Sequence, residues 1–286
     1  MSQSRELQLH IAQMEEIRSI LNAMKNLALI EIHKLTRFQA MQGQAVAAIE
    51  QAALDFLDFH PLPVIDETPL SIGILVGAER GFCGDFNESL MNAVAADGYY
   101  GIIAIGSRLC SRLEDGPVNL IAAIEGANVA EEVPTILNRL IEAIATLSVG
   151  GDSSHAANAQ AIHAAATLQL TAVYHDNRSG QINRRQILPP FPQQLQRTAR
   201  YDNPPVLNLV PADFFADLTD HYVFAALHEI FYLSLMTENQ RRLQHLEGAV
   251  KHLDDETVNL RRKSQIYRQE EITEEIEVIL LNAENL

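Results

Sequence analysis

The sequence of 286 residues predicts an α/β protein in which two long terminal helices form an antiparallel coiled coil and an α/β domain is inserted between them. Three observations predict this arrangement. Each end of the chain carries a long heptad pattern almost free of helix breakers, and the middle carries short apolar runs of strand length. We therefore divide the chain into an N-terminal helix at 1–65, an α/β domain at 66–204 and a C-terminal helix at 205–286.

The N-terminal block predicts one helix from about Ser4 to Phe59, roughly 80 Å long at 1.5 Å per residue. Pro61 and Pro63 end it, because proline lacks a backbone donor. The predicted heptad core positions are Leu7, His10, Met14, Ile17, Leu21, Met24, Ala28, Glu31, Leu35, Phe38, Gln42, Ala45, Ile49, Ala52, Phe56 and Phe59. All but three of these are apolar, which is typical of a coiled coil.

The C-terminal block predicts a second helix that opens at Pro211 and runs for ~70 residues, on the order of 100 Å. Apolar residues keep a 3/4 spacing at 243–253 and again at 272–286, and the residues at 261–264 between them are polar. Neither helix can bury such a stripe alone. The simplest solution is that the two wind around each other in antiparallel directions.

The middle block predicts βαβ units followed by a hairpin. The runs at 71–77 and 101–107 read as buried parallel strands, and helices are expected at 87–96 and 131–147. A strand at 167–176, a turn and a second strand at 182–189 form the hairpin, and 150–160 is expected to be a loop. This order indicates a Rossmann-like α/β domain.

The composition excludes several classes of function. A net charge of −16 disfavours binding to nucleic acid and docking on anionic lipid, since both need clustered basic residues. Two cysteines cannot build a disulfide framework, and no apolar run is long enough to span a membrane. We see no signal peptide and expect a reducing, cytoplasmic compartment.

A glycine-rich loop at 77–87 follows the first strand and opens a helix, which is where a phosphate-binding loop would lie. Its spacing is G-x3-G-x2-G rather than G-x-G-x-x-G, and the next strand ends without an acidic residue that could bind a ribose. A structural turn is favoured over a nucleotide site. Cys83 in this loop reads as a structural thiol, because no base is placed beside it.

The histidines and carboxylates of the last helix do not indicate a metal or catalytic site. The pairs His221/His228 and His245/His252 are two turns apart, about 10 Å, which is too far for one metal ion. Solvated or interface histidines are favoured. The neighbouring carboxylates at 254–256 point to different faces of a helix. We expect no catalytic residue, no metal and no cofactor.

The C-terminal end joins an acidic, polar collar at 268–277 to an apolar tip. The tip is apolar all round its helix, so it is expected either to enter a sleeve in a partner or to fold back on its own chain.

These features resemble a known family, the gamma subunit of F-type ATP synthases, which is the central rotor shaft. Residues 20–28 (ILNAMKNLA) resemble its I-T-K-A-M-K-M-V-A, and 268–276 (RQEEITEEI) resemble its R-Q-x-x-I-T-x-E-I. The family loop G-L-C-G-x-[FYL]-N is matched at Gly81, Cys83, Gly84 and Asn87. Residues 186–189 are similar to its L-L-P after the hairpin, and 281–286 to its A-G-A-E-A-L.

The resemblance implies a non-catalytic rotor that turns inside a ring of three alpha and three beta subunits. With the epsilon subunit, its foot stands on the membrane ring of c subunits, at the cytoplasmic face of the plasma membrane. It implies contacts with the catch loop of beta at Arg242, Gln269, Thr273 and Glu275, and a coupling region at Met24 and Lys25. The implied bearing tip consists of Ile276, Val278, Ile279, Leu280, Leu281 and Leu286.

The chain departs from the family in charge. Gamma subunits are typically basic, whereas this chain is acidic, and it has Leu29, Ile30 and Glu31 where the family tends to have lysine. This indicates a divergent branch, and partner surfaces that are less acidic than usual. Two other functions remain as alternatives: a cytoplasmic nucleotide-binding enzyme with a coiled-coil arm, and a coiled-coil adaptor.

Overall fold

The structure is a computed structural model that describes residues 3–61, 69–95, 97–114, 116, 118–148, 168–177, 179–191 and 203–284. The loop expected at 150–160 lies outside the described residues, as does Pro63. In chain order the elements are α1 (Gln3–Leu57), β1 (Leu70–Val76), α2 (Phe86–Val94), β2 (Gly101–Ile105), α3 (Ser107–Leu113), β3 (Leu120–Ile124), α4 (Val133–Ser148), β4 (Leu168–His175), β5 (Ile182–Leu188) and α5 (Pro211–Glu284).

Both long helices predicted from the sequence are present. α1 has 55 residues and ends shortly before Pro61, while α5 has 74 residues. Pro211 is the first residue of α5, a position where its missing donor costs nothing because the first amides of a helix have no intrahelical partner. Neither they nor any other helix in the described part of the chain combines the length and apolar character needed to cross a membrane.

Among the described residues, the sheet has five strands in the order β3-β2-β1-β4-β5. All neighbours run parallel except β4 and β5, which form the predicted antiparallel hairpin. Every residue of β2 is buried, as expected for a parallel strand that is covered on both faces. The fold is therefore mixed α/β, with a largely parallel sheet and long helices at both ends of the chain.

Two elements of the sheet region were not predicted, α3 and β3. α3 has only seven residues, too few to show a helical period, and β3 is alanine-rich and only partly buried. Gly106 separates β2 from α3 with a φ of 108°, a conformation that side chains other than glycine rarely adopt.

The side chains of β1 divide between two cores, one on each face of the sheet. Ile72, Ile74 and Val76 belong to a large cluster that includes residues of α1, α4 and α5. Leu75 faces a smaller cluster built from α2, α3 and the alternate residues of β2. This alternation along one strand is the period-two pattern of a sheet buried on both sides.

The chain divides into two compact units, one made of residues 1–30 and 242–286 and the other of 31–241. In the first unit, Leu21 clusters with Leu246 and Val250. Ion pairs join Arg18 to Asp254 and Glu15 to Arg261, so the partners run in opposite sequence order along the two helices. These pairs are exposed and contribute little stability on their own.

The buried stripe of α1 departs from the heptad positions that the sequence predicts. Leu21, Ala28 and Leu35 are buried as expected. Further along the helix, the predicted core residues Ala45 and Ala52 are exposed. The residues that follow them, Val46 and Ala53, are buried instead. A straight helix drifts by about 20° per heptad relative to a 3.5-residue repeat, and this drift carries the next residue into the core.

Candidate functional site

The family loop connects the carboxyl end of β1 to α2. Phe82 and Gly84 have φ values of 63° and 65°, which turn the chain sharply. The backbone amide of Ala78 donates to Oδ1 of buried Asn87 at 2.8 Å, and the buried Cys83 Sγ lies 3.4 Å from the carbonyl oxygen of Arg80. The buried side chains of Asn87 and Cys83 therefore stabilise the turn through these contacts.

Carboxylates of the chain itself bind the amides at this edge of the sheet. Glu79 Oε2 accepts hydrogen bonds from the amides of Ser107 (2.8 Å) and Gly126 (2.7 Å), and its Oε1 accepts one from the Ser107 hydroxyl (2.7 Å). The amides of Glu79 and Arg80 donate to Glu238 of α5 at 3.4 and 3.3 Å. A nucleotide phosphate would need such donors free and would be repelled by the carboxylates. The geometry favours the structural interpretation of the loop.

The roles of Glu79 and Glu238 could not be found by sequence reasoning. Their partners come from the ends of three strands and from a helix more than a hundred residues away. Nothing in the local pattern around either residue distinguishes it from an exposed glutamate.

The residues that the resemblance places in the coupling region lie in the first compact unit. Met24 packs against the cluster of Leu21, Leu246 and Val250, and its neighbour Lys25 is half-buried.

The four residues implied as beta contacts divide into one buried and three exposed side chains. Arg242 is only 5% exposed. Gln269, Thr273 and Glu275 are exposed on α5, and Thr273 Oγ1 donates to the carbonyl oxygen of Gln269 at 2.8 Å. The structure thus groups Gln269, Thr273 and Glu275 within two turns, while Arg242 lies ~40 Å back along the same helix.

The apolar tip of α5 is uncovered among the described residues. The side chains of Ile276, Val278, Ile279 and Leu280 are between 51% and 66% exposed. The side chain of Leu281 and all of Leu286 lie outside the described residues. A run of large apolar side chains that faces solvent on all sides indicates a surface that a partner covers.

The histidines of α5 differ from the expectation at one position. His221, His245 and His252 are exposed, but His228 is buried, and its Nδ1 lies 3.0 Å from the carbonyl oxygen of Phe224. Burial lowers the pKa of His228 and favours the neutral ring. The expectation of a solvated residue was therefore wrong for His228, because residues 225–239 of α5 are buried. Among the described residues, no three metal-ligating side chains come together.

Comparison with known proteins identifies the family. The family model described as ATP synthase matches residues 3–286, while no curated protein matches the sequence. One similar solved structure is a chain in the rotor of the Euglena gracilis mitochondrial ATP synthase, with 14% identity, a TM-score of 0.60 and coverage of 94% of this chain and 98% of that one.

Two further solved structures share the fold. A chain in the OSCP, F1 and c-ring assembly of the Euglena gracilis enzyme has 14% identity and a TM-score of 0.61, over 98% of this chain and 93% of that one. A chain in the central stalk and c-ring of Tetrahymena thermophila mitochondrial ATP synthase has 15% identity and a TM-score of 0.51, over 80% and 99%. Since the family model spans nearly the whole sequence, this chain belongs to the gamma-subunit family of the F-type ATP synthases, the rotor of the central stalk.

Proposed function

We propose that this rotor subunit works as an antiparallel coiled-coil shaft that turns inside a ring of alpha and beta subunits and couples ion flow through a membrane c ring to the nucleotide sites of beta. Residues 66–204 form the inserted domain in this proposal. The reversed order of the contacts between α1 and α5 supports the antiparallel pairing. The shaft would be a peripheral subunit at the cytoplasmic face of the plasma membrane.

The observation that carries this proposal is the uncovered apolar tip of α5. A tip that turns in a sleeve needs contacts without preferred direction, and apolar contacts supply these because they create few deep energy wells. The exposed polar side chains of Gln269, Thr273 and Glu275 lie just before the tip. They can form hydrogen bonds that depend on the rotation angle and so favour one state of beta over another.

Arg242 differs from the other three proposed beta contacts in its burial. Its buried side chain can reach the catch loop only if it leaves its present position, whereas the other three residues are already accessible. At the foot, the partners would be the epsilon subunit and the c ring. One of the similar solved structures comes from an assembly that contains F1 and the c-ring, which supports the general set of partners.

Co-purification with alpha and beta subunits tests the proposal. The tagged chain, co-expressed with both, should recover a ring in which ATP hydrolysis drives rotation of a bead attached to the shaft. A chain that lacks residues 276–286 should keep its helical content but lose assembly or torque. The control is Glu88→Ala, a substitution at an exposed position on α2 that leaves the tip intact.

Two results would contradict the proposal. One is a chain that recovers neither alpha nor beta. The other is tight stoichiometric binding of ATP or NAD by the isolated chain in equilibrium dialysis, which would instead support the nucleotide-binding enzyme.

A further inference from the structure

A buried carboxylate fastens α1 to the sheet domain. Glu31 of α1 is buried, and its Oε1 accepts a hydrogen bond from the backbone amide of Ala130 at 2.6 Å. Ala130 opens a 3-10 turn directly before α4. One turn further along α1, Lys34 Nζ lies 3.2 Å from Glu31 and 2.9 Å from Glu131. α1 is thereby tied to the start of α4 by a charge-assisted hydrogen bond and a bridging lysine.

A second buried carboxylate fastens α5 to the same edge of the sheet. Glu238 accepts from the amides of Glu79 and Arg80, and the Glu79 carboxylate in turn accepts from Ser107 and Gly126. The amides of Ser107 and Gly126 lie at the carboxyl ends of β2 and β3. A turn of α5 is therefore linked through one loop to three adjacent strands.

The two attachments are joined to each other. Arg80 Nε donates to Oδ1 of Asn128 at 2.6 Å, and the Asn128 amide donates to Glu132 Oε2 at 2.7 Å. The segment from Asn128 to Glu132 therefore contacts Arg80, whose loop is bound by Glu238 of α5, and it also contacts Glu31 of α1. We name the three residues Glu31, Glu79 and Glu238 the carboxylate clamp.

The clamp lies where both helices reach the limit of the compact unit at 31–241. Glu31 is its first residue, and Glu238 is three residues before its last. We infer that the carboxylate clamp transmits torque between the two long helices and the sheet, an inference that rests on the proposed rotor function. Glu31 and Glu238 are positioning residues in this role. The apolar side chains packed around α1 and α5 interlock and resist rotation of the helices, and the directional hydrogen bonds to the buried carboxylates add to that resistance at this edge of the sheet.

A role in transmitting torque accounts for the charges that are buried at this edge. Burial of a carboxylate costs free energy unless hydrogen bonds compensate, so apolar packing would be the simpler way to cover α1 and α5 here. In this sheet the carboxyl edge, which binds ligands in doubly wound folds, is occupied instead by acidic side chains that come from the shaft helices and the first loop.

A double variant, Glu31→Ala with Glu238→Ala, tests the clamp in the assembled complex. Angular fluctuations of a bead on the rotor, with the ring held on a surface, give the torsional stiffness. We expect the stiffness to fall about two-fold because two charge-assisted attachments are lost. ATP hydrolysis should stay near the wild-type rate, while ions pumped per ATP decrease. The matched control is Glu88→Ala with Glu142→Ala, which removes the same charge from exposed positions on α2 and α4.

Unchanged stiffness and unchanged pumping per ATP in the double variant would overturn the clamp. Loss of hydrolysis and pumping in equal proportion would also overturn it, since that is the result of a purely structural defect. A wild-type complex that neither rotates nor pumps would instead overturn the rotor proposal.

If the alanine variant does not assemble, Glu31→Gln and Glu238→Gln, which keep the shape and remove the charge, are measured in the same way. Hydrogen exchange on the isolated chain adds an independent measurement. The amides of Ala130, Glu79 and Arg80 should exchange about ten-fold faster in the variants, while the amides of β4 keep their protection. Unchanged protection at all three amides would overturn the clamp.

Discussion

At the scale of single residues, the carboxyl edge of the sheet depends on the close approach of backbone segments. Gly106 has a φ of 108°, and a Cβ there would lie 2.9 Å from the carbonyl oxygens of Gly77 and Ala78. Gly77 is similarly restricted, because a Cβ would lie 2.6 Å from Cβ of Leu109. These glycines let Glu79 reach Ser107 and Gly126 and so complete the clamp.

We expect Gly106→Ala to lower the free energy of unfolding by about 3 kcal/mol, from the strained φ and the backbone contact together. Gly98→Ala is the control, since Gly98 has a φ of 66° but a Cβ added there would meet no atom within 4 Å. Its cost should be about 1 kcal/mol, the backbone strain alone. Urea unfolding followed by circular dichroism measures both. Equal costs would show that the close approach at Gly106 is not important.

His175 connects the sheet to α2. It is buried, its Nε2 lies 2.8 Å from the carbonyl oxygen of Phe86, and its ring packs against that of Phe86 at 3.9 Å between centroids. Burial lowers the pKa of His175 below its ordinary value of 6.5. The hydrogen bond with the Phe86 carbonyl opposes this shift, the charge of Arg241 adds to it, and the charge of Asp85 opposes it. The folded state therefore holds the neutral ring.

This lowered pKa predicts that stability decreases as the pH falls. Below about pH 6.5 the unfolded chain binds a proton that folded His175 does not, so His175 contributes a loss of up to about 1.4 kcal/mol per pH unit until its folded pKa is reached. His175→Gln should have a flatter profile than the wild type between pH 7 and pH 5, in urea unfolding at each pH. Parallel profiles would contradict the prediction.

At the scale of elements, α5 changes its environment along its length. Residues 225–239 are buried on every side, where the helix runs through the large core. Further on, burial narrows to a stripe that includes Leu246, Val250 and Leu260, and beyond Ile272 every described side chain is exposed. One helix therefore serves as a core element, a paired helix and an uncovered tip.

Leu246→Ala should destabilise the paired part of α5 by about 2–4 kcal/mol, because a fully buried leucine is replaced by a cavity next to Leu21 and Val250. Val258→Ala, on the exposed side of the same helix, should change stability by less than about 0.5 kcal/mol. Hydrogen exchange of the amides around 246–250 reports the difference. Similar protection in the two variants would show that this cluster does not hold the helices together.

At the scale of the whole molecule, the net charge of −16 is concentrated toward the C-terminal end. About half of it lies in 205–286, and the collar carries Glu270, Glu271, Glu274, Glu275 and Glu277. Glu31, where the family tends to have lysine, points inward and caps the turn at Ala130 instead of facing outward. Partner surfaces that face the collar are therefore expected to be less acidic than those around a basic gamma subunit.

Reconstitution measures this charge difference. With alpha and beta subunits taken from a synthase whose gamma is basic, the chain should assemble poorly and show weakly coupled ATPase activity. Coupling should improve at higher salt, which screens exposed like charges. The chain's own alpha and beta subunits are the control. Normal coupled activity with the foreign ring would contradict a co-evolved partner surface.

The sequence by itself determined the elements that local periodicity and breakers encode. These are the two long helices, the buried strands, the hairpin and the glycine-rich turn, together with the motifs that resemble the gamma family. Only the tertiary structure decided the strand order, the short α3 and β3, the shift of the buried stripe in α1 and the partners of Glu31, Glu79 and Glu238. The physical reason is separation along the chain: Glu31 binds an amide 99 residues away and Glu238 binds two amides about 160 away, and such pairings arise from folding rather than from local spacing.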